Sequence, residues 1–325
     1  MKKLLILFAV LFATSAFAFA QGETEAEEFP TKPIQIICPW SAGGGTDRTA
    51  RFVADELSKV LGQPVNVVNK TGGNGSVGHQ AGADAKADGY TITNVTFDIC
   101  ALKHLGYSDL TPAKFTPLLQ FNEDAAAVTV SADSKYNTLK ELFDDIKNEP
   151  ASSFTFSGSA IGSAWDLSRL ALFAAADVDP AKVLYVPSKG AAPAITELLG
   201  KHVDVITCSY PEVAPQVEGG SLKTLAVLSE ERNPQFDNIP TAKESGIDCS
   251  YGTWRGFAVP LDTPEYVVKI LTDALEQVTN SQTFIDFMNA NGFGIKIRVG
   301  QEYGDFMMSQ YEGLGPMIEQ AGYKN

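Results

Sequence analysis

Short apolar runs alternate with segments whose apolar residues recur three and four positions apart, from residue 34 to the C-terminus. The run at 34–38 predicts a buried strand. Ala50, Val53, Ala54, Leu57, Val60 and Leu61 follow at helical spacing, and Gly62 is placed to end that helix. The same reading gives strands at 65–69 and 90–96, with a helix at 77–87 behind the glycine-rich turn 72–75. Further on, strands at 126–130, 154–156, 183–186, 203–208 and 222–228 alternate with helices. These helices run over 139–147 (capped by Thr138), from the small-residue stretch 157–163 to about 176, and over 194–199. The last part adds a strand at 257–259, a helix at 264–279 and helical patterning to about 321. Such alternation predicts an α/β chain with mainly parallel sheets. Its glycine-rich turns put several helix N-termini at the carboxyl ends of strands, the edge where open α/β sheets bind ligands.

The N-terminus does not follow this pattern. Lys2 and Lys3, an apolar stretch and Ala18-Phe19-Ala20 read as a secretory signal peptide over 1–20, cut near Ala20. The acidic run 21–28 has almost nothing to bury and reads as a disordered lead-in. No cysteine lies near the cut, so no lipid anchor is expected there, and the protein is expected in the periplasm. About 305 residues of the 325 remain, enough for two domains. The formal net charge of −14 argues against a nucleic-acid partner. Cys38, Cys100, Cys208 and Cys249 show no C-x-x-C spacing, and buried free thiols and disulfides stand as equal readings.

Three loops could receive an anion. Gly43-Gly44-Gly45 precedes Thr46-Asp47-Arg48, which fits neither a nucleotide P-loop nor G-x-G-x-x-G. The physics common to those motifs still applies: glycine lets backbone N–H groups approach a ligand, and a helix start favours negative charge. Ser157 to Ser163 repeats the device, with Ala160 where a hydrolase would place its nucleophile. Lys189-Gly190-Ala191 is the third. His79, His104 and His202 are scattered and form no metal or catalytic motif, so neither a metal nor a cofactor is expected. Trp254-Arg255, between Gly252 and Gly256, could place an indole and a guanidinium at a cleft wall, where arginine suits a carboxylate's two oxygens.

In sequence these elements resemble the extracytoplasmic solute receptors of tripartite tricarboxylate transporters, the Bug-type receptors. The resemblance rests on Pro39-Trp40-Ser41-Ala42-Gly43-Gly44-Gly45-Thr46-Asp47, on Asn69-Lys70-Thr71-Gly72-Gly73-Asn74-Gly75-Ser76-Val77-Gly78, and on Asp88-Gly89-Tyr90-Thr91. It implies a two-lobed fold of the periplasmic binding protein type, each lobe a sheet flanked by helices, joined by two crossing strands. Lobe one is expected over 29–123 and 228–325, and lobe two over 124–227. It also implies that Trp40, Ser41, Ala42, Gly43, Gly44, Thr46 and Asp47 face the ligand from lobe one, joined by Thr96 and Phe97. Lobe two is expected to contribute Ser157, Gly158, Ser159, Ile161, Gly162, Ser163 and Trp165, with Ser188, Lys189, Gly190 and Ala191. Two stretches depart from the family pattern: Ser163-Ala164-Trp165-Asp166 stands where the family often has serine then histidine, and Ser188-Lys189-Gly190 where Tyr-Lys-Gly is familiar.

The function implied is capture of a small organic carboxylate and its delivery to integral membrane permease subunits, by a monomer that is not an enzyme. Arg255 and Trp254, read as gripping a distal carboxylate, favour a di- or tricarboxylate. The competing readings are an exported α/β hydrolase or lyase and a receptor of the same fold serving a signalling partner.

Overall fold

The computed structural model describes residues 28–320 and Tyr323. The expected signal peptide and nearly all of the acidic lead-in lie outside the described residues. The first two strands, β1 (Ile34–Cys38) and β2 (Val65–Asn69), have the predicted bounds, with helix α1 (Gly45–Leu61) between them. Gly62 ends α1 in the left-handed conformation at φ 65°, its N–H bonding the Ser58 carbonyl. Helix α2 (Ser76–Ala83) leads to β3 (Thr91–Thr96).

Strand β4 (Phe115–Ser131) is the organising element. Its first part pairs with β9 (Gly252–Pro260) and β10 (Ile295–Val299). From Ala126 on it pairs instead with β7 (Val205–Ser209) and β8 (Leu222–Val227). The strand order is β2-β1-β3-β9-β4-β7-β5-β6, where β5 is Phe154–Ser157 and β6 Val183–Tyr185. One wing thus carries β1, β2, β3, β9 and β10, and the other β5 to β8. The outer strands of both wings are parallel, as predicted. The strands that meet β4 and β9 are antiparallel, which makes the sheet mixed. The long β4 serves both wings, and β9, β10, β7 and β8 all run antiparallel to it.

Helices pack on these wings. Helix α3 (Leu139–Asn148) has the predicted Thr138 cap, with Glu141 N–H bonding the Thr138 hydroxyl at 3.2 Å. Helices α4 (Ala164–Ala175), α5 (Ala191–Leu199) and α6 (Tyr210–Glu218) follow β5, β6 and β7. Helices α7 (Glu265–Thr279), α8 (Gln282–Ala290) and α9 (Gln301–Gln320) complete the chain. Core aromatics mark both wings: Phe121 stacks on Phe257 at 5.0 Å, and Phe156 meets Phe173 edge-on at 5.4 Å. All four cysteines are free and buried, and burial raises each thiol's pKa, that of Cys38 to about 12.

Candidate functional site

The starts of α1, α4 and α5 converge on one cavity of about 30 Å³ between the two wings. That volume suits a water or two rather than an organic acid, so a ligand of that class needs the walls to separate.

The first wall is the glycine loop 39–44. Gly43 sits at φ 83°, a conformation that β-carbons disfavour. Its N–H bonds Asp47 at 2.9 Å, and the same carboxylate takes Asn69 Nδ2 at 2.8 Å and pairs with Arg51 at 2.8 Å. Burial works against the Asp47 charge, but these donors win and hold its pKa below the usual range. Asp47 therefore shapes the loop and does not line the cavity. Trp40 Nε1 donates to the Thr96 hydroxyl at 3.2 Å, which donates to Asp98 at 2.8 Å.

Behind Thr96 lies His79, fully buried. Its Nδ1 is 2.9 Å from the Gly75 carbonyl and its Nε2 accepts the Thr96 N–H at 3.2 Å, which assigns a neutral ring with the proton on Nδ1. Burial lowers its pKa to about 4. A neutral buried base contributes stability that is fully present above the unfolded value of about 6.5 and is lost as pH falls through the folded one. We expect His79 to cost about 1.4 kcal/mol per pH unit between those values. Asp98, raised by burial, acts in the opposite sense, so the test compares denaturation of wild type and His79→Gln across that window. Equal slopes would contradict the assignment.

The second wall is the start of α4. Asp98 reaches across from the β3 side and accepts the Ala164 N–H at 2.9 Å. Ser159 and Ser163 bond each other through their hydroxyls, and Ser157 Oγ donates to the Val186 carbonyl at 2.7 Å. Gly158 serves packing: a Cβ there would lie 2.3 Å from the Thr207 carbonyl oxygen. Gly158→Ala should cost roughly 1–3 kcal/mol or more through overpacking. Chemical denaturation measures this, and a neutral change would contradict the tight β5–β7 approach.

The third wall is the start of α5. Gly190 stands at φ 139°, no side chain caps the helix, and Ser41 Oγ donates to the Lys189 carbonyl at 2.8 Å.

Arg255 lies 1 % exposed at the cavity floor. Its Nε donates to Thr46 Oγ1 at 3.0 Å, and one terminal nitrogen bonds Asn122 and pairs with Asp124 at 2.5 Å. The other stands 3.9 Å from Glu212 Oε1. Arg255 is thus matched inside the protein by Asp124. Trp254 precedes Arg255 in β9. Successive side chains of a strand point to opposite faces, so Trp254 turns away and packs on Tyr303 and Phe306. Arg48, in the first turn of α1, binds the Pro211 carbonyl and Asn291.

Of the residues singled out in the sequence, Trp40, Ser41, Gly44, Thr46, Thr96, Ser159, Trp165, Gly190, Ala191 and Arg255 line the cavity. Ala42, Gly43, Asp47, Phe97, Ser157, Gly158, Ile161, Gly162, Ser163, Ser188, Lys189 and Trp254 lie outside its lining. Ile161 and Lys189 are exposed, and Gly162 packs on Leu105. Asp98, Thr253 and Glu212 line it without having been singled out, and so do Gly45 and Ala164 from the loops quoted in the sequence. Glu212 accepts the Gly45 N–H at 2.8 Å on one oxygen and the Ser209 N–H at 3.2 Å on the other. The Ser209-x-x-Glu212 spacing was a usable signal, since it marks a helix start.

A two-winged α/β chain with helix starts converging between the wings is a periplasmic binding protein by fold. Residues 49–323 match the family described as tripartite tricarboxylate transporter family receptor, and the chain belongs to it. A TctC solute-binding protein from Polaromonas is 35 % identical, with TM-score 0.65, over 90 % of this chain and all of that one. The periplasmic binding protein BugD is 28 % identical with TM-score 0.85, over 91 % and 99 %. A protein of R. palustris solved with adipate is 25 % identical with TM-score 0.84, over 91 % and 99 %.

Proposed function

We propose that the protein captures a small organic carboxylate in the periplasm and delivers it to the membrane subunits of a tripartite transporter, acting as a monomeric receptor and not an enzyme. The observation that carries this reading is the cavity between the wings, which the starts of α1, α4 and α5 line together. The adipate-bound relative supports the carboxylate class. The favoured ligand is a di- or tricarboxylate, in line with the adipate-bound relative.

Capture takes place by closure of two lobes, 29–123 with 228–325 and 124–227. The change of partners along β4 near Ala125 supports the first boundary, and the end of β8 at Val227 supports the second. Closure of this kind is driven by contacts the ligand makes with both lobes at once. A thermal-shift screen of mono-, di- and tricarboxylates tests the reading. A ligand that binds only the folded chain raises its melting temperature. If no carboxylate shifts it, the reading fails.

A further inference from the structure

We propose that Tyr323 is a latch between the two wings: its hydroxyl, at the end of the first wing's last helix, holds the buried carboxylate of Asp166 in the second wing, and the cleft opens by releasing that bond. The inference rests on the two-lobe reading above and names the contact that closure makes and opening breaks.

Helix α9 belongs to the first wing. The Cys100 thiol donates to the Met307 carbonyl at 3.4 Å, His104 Nε2 donates to the Tyr311 carbonyl at 2.8 Å, and Phe306 packs on Trp254 of β9. Just past the helix, the Tyr323 N–H bonds the Ile318 carbonyl at 3.2 Å. The Tyr323 hydroxyl then crosses to the second wing and donates to Asp166 Oδ2 at 2.7 Å, in the first turn of α4. A second tie between the wings reaches the loop before α4. There the Tyr107 hydroxyl donates to the Ile161 carbonyl at 3.2 Å, beside the contact of Leu105 with Gly162.

The two ties differ in strength. Asp166 is fully buried and pairs with Arg169, also buried, at 2.7 Å. Its Oδ2 takes the Gly162 N–H at 2.9 Å beside the Tyr323 hydroxyl. A hydroxyl bond to a buried carboxylate is charge-assisted, and the low local dielectric strengthens it. The Tyr107 bond joins an exposed neutral hydroxyl to a carbonyl and is worth less. Withdrawing Tyr323 leaves Asp166 with Arg169 and Gly162, so the loss falls on the closed arrangement of the wings and not on the fold of either. The latch also stands directly behind the cavity wall. Arg169 lies over the Tyr185 ring at 4.8 Å, and the Tyr185 hydroxyl donates to the Ser159 carbonyl at 2.9 Å. Ser159 lines the cavity. Its loop is therefore held at one end by Tyr185 and at the other, through Gly162, by the carboxylate that Tyr323 grips.

The test reads the distance between the wings and needs no ligand. Nitroxide labels on Lys86→Cys, after α2, and Lys147→Cys, in α3, put one probe at an exposed position on each wing, and the four native thiols are buried from the reagent. Tyr323→Phe keeps the ring and removes only the hydroxyl, while Asp166 stays paired with Arg169. Pulsed dipolar spectroscopy should show the ratio of long to short distances rising roughly tenfold or more in Tyr323→Phe, the effect of one bond to a charged group. Tyr107→Phe should raise it less. Circular dichroism and a melting curve establish that both variants are folded. If Tyr323→Phe leaves the distances unchanged, or Tyr107→Phe moves them as far, the latch is overturned. The receptor reading stands or falls on carboxylate binding and is touched by neither result.

Discussion

Replacing Asp124 with alanine should destabilise the folded protein by about 3–5 kcal/mol, the cost of leaving a buried charge without its partner. Asp124 Oδ2 is 2.5 Å from Arg255, and Oδ1 accepts the Gly294 N–H at 2.9 Å and Asn122 Nδ2 at 3.0 Å. The residue sits where β4 leaves β9 for β7, so its loss removes an ion pair and ties across the join of the wings. With Asp124 gone, Arg255 at 1 % exposure keeps only neutral partners and Glu212 at 3.9 Å. A double variant, Asp124→Leu with Arg255→Met, should recover much of the loss, because it buries no unmatched charge. Chemical denaturation of both variants measures this. A loss for Asp124→Ala below about 1 kcal/mol would place the pair with screened surface pairs and contradict its role.

Gly44→Val should leave the fold intact and weaken ligand binding by roughly ten- to a hundredfold. Gly44 has φ −74° and ψ 171°, which valine adopts without strain. Its Cβ would lie 3.5 Å from the Ser41 carbonyl oxygen and 3.8 Å from Glu212 Oε1, both ordinary contacts. The γ-methyls, however, stand where the ligand must approach the loop backbone. Each hydrogen bond lost to a charged group is worth about 1.5–3 kcal/mol. Calorimetry beside a melting curve separates the two effects. Unchanged affinity would make the loop a plain strand-to-helix turn.

The contrast between Gly44 and Gly158 shows where sequence reading stops. Both sit in small-residue loops before helices, yet one borders the cavity and the other fills the space between β5 and β7. Strands β1 and β2 were legible to the residue because they are short apolar runs beside glycine and proline. In the first half of β4, Gln120, Asn122 and Asp124 look like loop residues in sequence. They are buried there because β9, β10 and Arg255 supply their partners. Strand β10 reads Ile-Lys-Ile-Arg-Val with no fully buried position, and Pro211 and Pro215 hid α6. The loops of the site could be read, but their occupancy by Asp98 and Glu212 could not. Those acids lie 66 and 167 residues from the N–H groups they meet.

The central claim, that the cavity grips a carboxylate through helix-start N–H groups, is tested most directly by one titration. The carboxylate that most raises the melting temperature is titrated into the purified protein by calorimetry, alongside its methyl ester. Binding of one ligand per chain, weakened about a hundredfold or more by esterification, is the expected result, since the ester loses the charge that the helix start favours. Equal affinity for acid and ester would contradict the account.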